Sequence, residues 1–226
     1  MLFNHPARYL EKDLGNTEQL LNQIQEGEHT RQDFKFRIDS SVKIARTLSS
    51  FANTLGGKIL IGVKDNGHVA GIDLEEEYFM IEGAASVFCN PPVPFSACAY
   101  QYEDKLVLEI NVASSKLKPH LAKEPDGAWR AYIRQEDENF MANGVLVQYM
   151  RIQNPTNRQK GLISYGDHER KLWDYLQNNE AISLSKFSKI CNISIKEAEQ
   201  ILVLFLKWEL IKWQAHQNGI QFKLIE

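Results

Sequence analysis

Two packing grammars, one after the other, predict an α+β mixed-sheet domain followed by a small, mostly helical one. Up to about residue 150, short β-branched and alternating runs are interleaved with apolar residues at helical spacing, as in a sheet layered with helices. Beyond it, three closely spaced helical patterns end in two extended runs around Asn218-Gly219. A polar stretch from Gln153 to Gly161, containing Pro155, separates the two and has linker composition. The expected division is residues 1–152, a linker over 153–166, and residues 167–226.

In the first domain Asn16 or Thr17 caps a helix whose face carries Leu20, Leu21 and Ile24 and which Gly27 ends. A loop containing Glu28 follows. Asp33-Phe34-Lys35-Phe36-Arg37 alternates with period two, which puts both phenylalanines on one face of a strand and Asp33, Lys35 and Arg37 on the other. Ile44, Leu48, Phe51 and Ala52 recur at helical spacing until Gly56-Gly57 stops them. Lys58 to Lys64 reads as a central strand, and Asp65-Asn66-Gly67-His68 as a hairpin turn into Val69 to Ile72. A helix over Glu75 to Phe88 ends before Asn90-Pro91-Pro92. Phe95 to Tyr102 and Leu106 to Val112 form another hairpin, and Trp129 to Arg134 a later strand.

In the second domain Leu172, Trp173, Tyr175 and Leu176 mark one helix, Ser183 caps a second, and Ser194-Ile195-Lys196-Glu197 is a capping box opening a third. Ile211 to Trp213 and Ile220 to Leu224 then form a β-hairpin. Helix, helix, turn, helix and hairpin is the order of a winged helix-turn-helix. On its third helix Lys196 and Gln200 are candidate DNA contacts, joined by Lys212, His216, Gln217 and Lys223 of the wing. Val203 and Leu204 add apolar surface that suits a dimer as well as a reader.

Composition bounds the class. With 43% hydrophobic and 24% charged residues, the chain is neither collagen-like nor disordered. No apolar run approaches the roughly 18 residues needed to span a bilayer. The amino end lacks the apolar stretch of a signal peptide. Three scattered cysteines, Cys89, Cys98 and Cys191, fit a reducing compartment, and the chain reads as cytoplasmic. The net charge of −3 is uneven: residues 1–150 hold 15 Lys/Arg against 21 Asp/Glu, and residues 151–226 hold 11 against 8. The tail is mildly basic, short of the footprint of a strong DNA binder.

One set of motifs points further. Glu28 with Asp33-Phe34-Lys35, Ser50-Phe51-Ala52-Asn53-Thr54-Leu55-Gly56-Gly57, Ile61-Gly62-Val63-Lys64-Asp65-Asn66-Gly67, Lys118-Pro119-His120 and Tyr132-Ile133-Arg134 together resemble the Schlafen-type AlbA-like domain, from about Thr17 to Ala142. Bacterial members often join this domain to a winged helix. The resemblance implies nucleic-acid binding and a role as a DNA-binding transcriptional regulator. Duplex DNA is favoured over RNA, no cofactor is required, and a homodimer is expected. Lys35, Arg37 and Lys58 are the candidate contacts in the first domain.

The resemblance carries a second implication. In some Schlafen proteins acids at these motif positions form a divalent-metal endoribonuclease site. Carried over, the positions are Glu28, Asp33 and Asp65, with Asp33 where the family has the longer Glu. Three carboxylates on Mg²⁺ or Mn²⁺ would activate a water against a phosphodiester. A third reading is a non-catalytic dimeric interaction module.

Plainer roles stand beside these. Asp65 before Asn66-Gly67 suits hydrogen bonding to turn backbone. Glu28 suits a solvated loop, and Asp33, Lys35 and Arg37 any amphipathic strand. Gly56-Gly57 follows a helix instead of preceding one, and no phosphate-loop motif exists, so nucleotide hydrolysis is rejected. His29, His68 and His120 read as surface or turn residues. Glu75-Glu76-Glu77 and Glu136-Asp137-Glu138 read as exposed charge that repels phosphate, and Trp173, Trp208 and Trp213 as small-core residues.

Overall fold

In the computed structural model residues 14–154 and 166–225 are described. The linker expectation over 155–165 and the expectation for the first 13 residues lie outside them. The chain divides into two compact units, Met1–Ser115 with Pro119–Met141, and Lys116–Lys118 with Ala142–Glu226.

The first unit begins with α1 (Thr17–Glu26), capped by Asn16, whose side chain accepts from the Glu18 amide at 2.8 Å. Gly27 ends it at φ +74°, a conformation only glycine adopts freely. Then come β1 (Gln32–Lys35), α2 (Ser41–Asn53), β2 (Gly57–Ile61), α3 (Leu74–Ser86), β3 (Cys89–Asn90), β4 (Ser96–Tyr102), β5 (Lys105–Val112), β6 (Leu121–Lys123), β7 (Trp129–Gln135) and β8 (Glu138–Met141). Two sheets result. One runs β1-β2-β5-β4, with β1 parallel to β2 and the rest antiparallel. The other is the antiparallel β3-β6-β7-β8. This is the mixed-sheet α+β class.

The first sheet is buried on both faces. Ile59, Ile61, Leu108 and Ile110 pack against Ile44, Leu48 and Phe51 of α2 and Ile81 of α3. Phe34, Leu60, Val107 and Tyr100 pack on the other face with Leu20 of α1. Each such side chain contributes about 1.5–3 kcal/mol. Of the expected α1 face, Leu20 is buried but Leu21 is exposed. Gln23 is buried beside Leu20, and its carbonyl accepts from the Gln32 amide nitrogen Nε2 at 2.6 Å.

Three corrections follow from backbone geometry. β2 stops at Ile61 because Gly62 turns to φ +100°, so the expected hairpin after it shrinks to one bridge between Val63 and Val69. Gly62 N still donates to Lys35 O, at 2.8 Å, but its own carbonyl accepts from the Ala70 and Gly71 amides, so the ladder with β1 ends there and nothing pairs with residue 36. Phe36 therefore leaves the sheet and stands exposed, while Phe34 is buried. The turn role expected of Asp65 falls to Asn66, whose Oδ1 accepts from the His68 amide at 3.1 Å. The glycine pair acts as argued. A Cβ on Gly56, at φ +73°, would come within 2.7 Å of Val112 O, and one on Gly57 would strike the Phe51 ring.

Helix α3 starts at Asp73, which caps Glu76 N at 2.9 Å. Its Glu77 is buried rather than exposed, and Oε2 accepts from the Ile38 amide at 3.0 Å. Burial pushes the Glu77 carboxyl up; the Ile38 amide opposes this, and Glu76 and Asp39 reinforce it. A raised carboxyl favours the fold in its protonated state, and that contribution is lost as pH rises through the folded value. Glu77→Gln is therefore expected to melt higher than the parent near neutral pH. The difference should vanish below the ordinary glutamate value of 4.5, as read by thermal melts across pH.

The second unit holds α4 (Gly144–Gln153), α5 (Asp167–Asn178), β9 (Ile182–Ser183), α6 (Leu184–Cys191), α7 (Ile195–Lys207), β10 (Ile211–His216) and β11 (Gly219–Leu224). β9 adds to the hairpin to give a sheet β10-β11-β9. Its buried residues include Leu172, Phe187, Leu202, Phe205 and Phe222, while Trp173, Trp208 and Trp213 are half-buried around them. Ser183 and Ser194 cap as expected, accepting from Lys186 N and Glu197 N. The reciprocal half of the Ser194 box is replaced, since Glu197 lies 4.0 Å from His168 Nε2. Helix α4, not anticipated in the sequence, packs on α7. Val203 is thereby buried and Leu204 half-buried within one chain, so the apolar surface attributed to them is already largely covered.

Candidate nucleic-acid interface

A cleft of about 460 Å³ opens in the first unit between the end of β1, the first turns of α2, and β7 with β8. Lys35, Arg37, Lys43 and Arg46 line it, and Arg134 forms part of its floor. The sequence foresaw the first two. Lys43 and Arg46 belong to no motif; their spacing of three puts both on the side of α2 opposite its apolar stripe, which is the signal the sequence holds for them.

The floor is a buried polar network. Arg134 is 2% exposed. Its Nη2 donates to Asp33 Oδ1 at 3.0 Å and to Gln32 O at 3.2 Å, and its guanidinium lies 5.0 Å from the Phe51 ring centre. Asn139 Oδ1 accepts from Arg134 Nη1 and from Ser50 Oγ, while its Nδ2 donates to Thr47 Oγ1 at 3.0 Å. On one wall Glu124 holds Arg46 through both oxygens and accepts from Tyr132 Oη at 2.7 Å. Burial pushes Glu124 up, but the Arg46 and Tyr132 hydrogen bonds together outweigh it and leave the carboxyl below its ordinary value. Burial and the bond to Glu124 push the Tyr132 phenol up to about 12, so it remains a donor.

The acidic trio does not gather as a metal would require. Asp33 is 4% exposed and is claimed by Arg134 on one oxygen and by Lys35 Nζ, 2.6 Å away, on the other. It shares a sheet face with Ile59, its register partner. Glu28 spends Oε1 on the amide of Phe34, 2.8 Å away. It thus satisfies a donor of β1, which has a neighbouring strand on one side only. Asp65 is exposed in its turn. The three are near enough to influence one another: burial chiefly raises the Glu28 carboxyl, and Asp33 and Asp65 add to the rise. Among the described residues, however, no group of three His, Cys, Asp or Glu side chains is arranged to hold a metal ion. The residues do not fit a divalent metal in this arrangement.

Other candidates separate. Lys58 pairs with Gln32 in register and faces the Phe34–Leu60 side, opposite Lys35, so the two cannot serve one strip. His120 is buried, contrary to expectation. Its backbone amide is bound by Asn53 Oδ1 at 2.8 Å and its Nδ1 lies 2.9 Å from Pro91 O. Asn53 also donates to His120 O and Tyr132 O, which makes the Phe51-Ala52-Asn53 motif a brace between α2 and the second sheet. Cys89 is buried, and burial pushes its thiol up to about 12, so it is chemically quiet.

In the second unit Lys196 and Gln200 are exposed one turn apart on α7. Glu199, which lies between them in the chain, accepts from Gln148 of α4 at 2.8 Å. Lys212 lies directly across from Lys223 in the β10–β11 ladder, two like charges on the solvent-facing side of the hairpin.

A two-sheet α+β domain with cations around one cleft is therefore the class of module in hand. The chain belongs to the Schlafen, AlbA_2 family, whose model matches residues 28–143, more than half of the chain. It is also similar to the DIP2311 protein of Corynebacterium diphtheriae, at 21% identity and a TM-score of 0.43 over 61% of this chain; it spans 32% of that protein. The N-terminal domain of a RecG-related protein from Nitrosomonas europaea is 16% identical with a TM-score of 0.40, over 69% of this chain and 99% of that one. No curated protein matches the chain. Among the described residues no helix is long and apolar enough to cross a membrane.

Proposed function

We propose that this protein binds nucleic acid, with the phosphodiester backbone running along the cleft of the first unit past Lys35, Arg37 and Lys43. The observation that carries this reading is the gathering of five Lys and Arg side chains around the cleft, against four acids, on a chain whose net charge is −3. Membership of the family supports it. So does the start of α2 at the cleft, where first-turn amides and the helix dipole favour an anion. The acids in the lining limit the affinity: Asp33 and Asp39 pair with Lys35 and Arg37, and Asp137 and Glu138 stand exposed at the far rim. The backbone then lies toward Lys43 and away from β8.

In the finer form of this proposal, residues 167–226 are a winged helix-turn-helix that lays α7 against duplex DNA through Lys196, Gln200 and the Lys212 wing. The protein acts as a homodimer in the cytoplasm to control transcription. The order α5, β9, α6, α7, β10, β11 supports that reading.

Fluorescence anisotropy with labelled duplex DNA and structured RNA tests the central claim. Lys43→Glu is expected to weaken binding and to reduce the slope of log affinity against log salt by about 1, the signature of a lost phosphate contact. Binding no tighter than that of an unrelated acidic protein, even near about 50 mM salt, overturns the reading.

A further inference from the structure

We infer that Phe36 is a stacking platform for an unpaired base of a single-stranded nucleic acid, a deepening that rests on the proposed function. Phe36 is 48% exposed, just beyond the last residue of β1, between Lys35 and Arg37, both of which line the cleft. Its exposure has a cause in the backbone. The strand beside it ends at Ile61, before the turn at Gly62, so the ring has left the sheet and stands about half exposed. Lys64 Nζ lies 5.5 Å and the Arg37 guanidinium 5.9 Å from the ring centre, so the aromatic surface is flanked by positive charge from two segments.

An exposed apolar residue alone calls for no explanation. The other exposed aromatic rings among the described residues differ in surroundings. Phe79 sits on a helix whose first turn holds Glu75, Glu76 and Glu77, and Trp129 has one cation, Lys123, 6.0 Å from its centre. Phe36 alone among them joins two cations and stands beside the Lys35 and Arg37 that line the cleft. A base has an apolar face and a phosphate on each side, which is the shape and charge this arrangement complements. In a duplex the bases are already stacked on one another, so an isolated ring serves only a strand whose bases are free to splay. The cations leave the ring for the flanking phosphates at little cost, since an exposed cation–π contact is worth about 0.5–1 kcal/mol. Arg37 must also loosen its exposed pair with Asp39, which is similarly weak. Asp65, next to Lys64 and exposed, is the nearby charge that opposes the contact.

The test uses the full chain with oligothymidylate, oligouridylate and a duplex of matched length, read by anisotropy. Phe36→Ala is expected to weaken binding of single strands by about 10-fold and to leave duplex affinity unchanged, while Phe36→Tyr keeps both. An exposed ring makes either variant a folded protein, which circular dichroism melts verify. The two single strands differ in the 2′-hydroxyl and in the C5 methyl, and an equal loss on both supports the platform, since stacking needs only a base face. If the parent binds single strands and Phe36→Ala binds them as well, or loses single strand and duplex equally, the platform is overturned while the proposed function stands. If the parent binds no nucleic acid, both fall together.

Discussion

Asp33→Ala is expected to lower the stability of the first unit by about 3–5 kcal/mol, the largest effect of any substitution at the candidate site. The reason is the partner left behind. Arg134 is 2% exposed and can neither shed its proton nor reach water, so removing the carboxylate strands a charge in the interior. Asp33→Asn keeps an acceptor for Nη2 and is expected to cost about half as much. Urea unfolding followed by circular dichroism reads both. A nuclease in which Asp33 held a metal predicts the reverse pattern: Mn²⁺-dependent cleavage of RNA in the parent, abolished in an Asp33→Asn protein of unchanged stability.

Asn53→Ala ranks next, with an expected loss of about 3–4 kcal/mol, because one amide serves four partners. Its nitrogen donates to Ser49 Oγ and to the carbonyls of His120 and Tyr132, and its oxygen accepts from the His120 amide. Each bond nets about 1 kcal/mol, and the groups left bare are buried with no access to water. Asn53→Asp is expected to be at least as damaging, since a carboxylate would face two carbonyl oxygens. Hydrogen exchange should show the loss first in β6 and β7, whose backbone this residue pins. Uniform loss of protection across both units would contradict that placement.

The elements most legible in the sequence were those fixed by local signals. Asn16, Ser183 and Ser194 announced helix starts, and the Ile44, Leu48 and Phe51 spacing identified the buried side of α2. Strands β4 and β5 followed from their apolar runs around a charged turn. The elements missed, β3, β6, β8, β9 and α4, are short or weakly patterned and owe their form to partners distant in the chain. Alternation misled at β1 for a physical reason. Period two tells which residues share a face but not whether the second face is solvent, and here Asp33 points into a second buried layer with Arg134. The acidic trio was likewise visible as residues but not as geometry. The Asp33 partner is about a hundred positions away, and the Glu28 partner is a backbone amide, which leaves no mark in the side-chain pattern.

Helix α2 packs on the first sheet and, through Asn53, Ser49 and Thr47, on β6 to β8 as well. The two walls of the cleft are thereby mounted on one rod. They cannot spread or close without tearing the same interior bonds, so its width is set before any visitor arrives. Adaptation is left to the visitor: a supple polymer can bend to this fixed mould with little strain, where a stiff one must already match it.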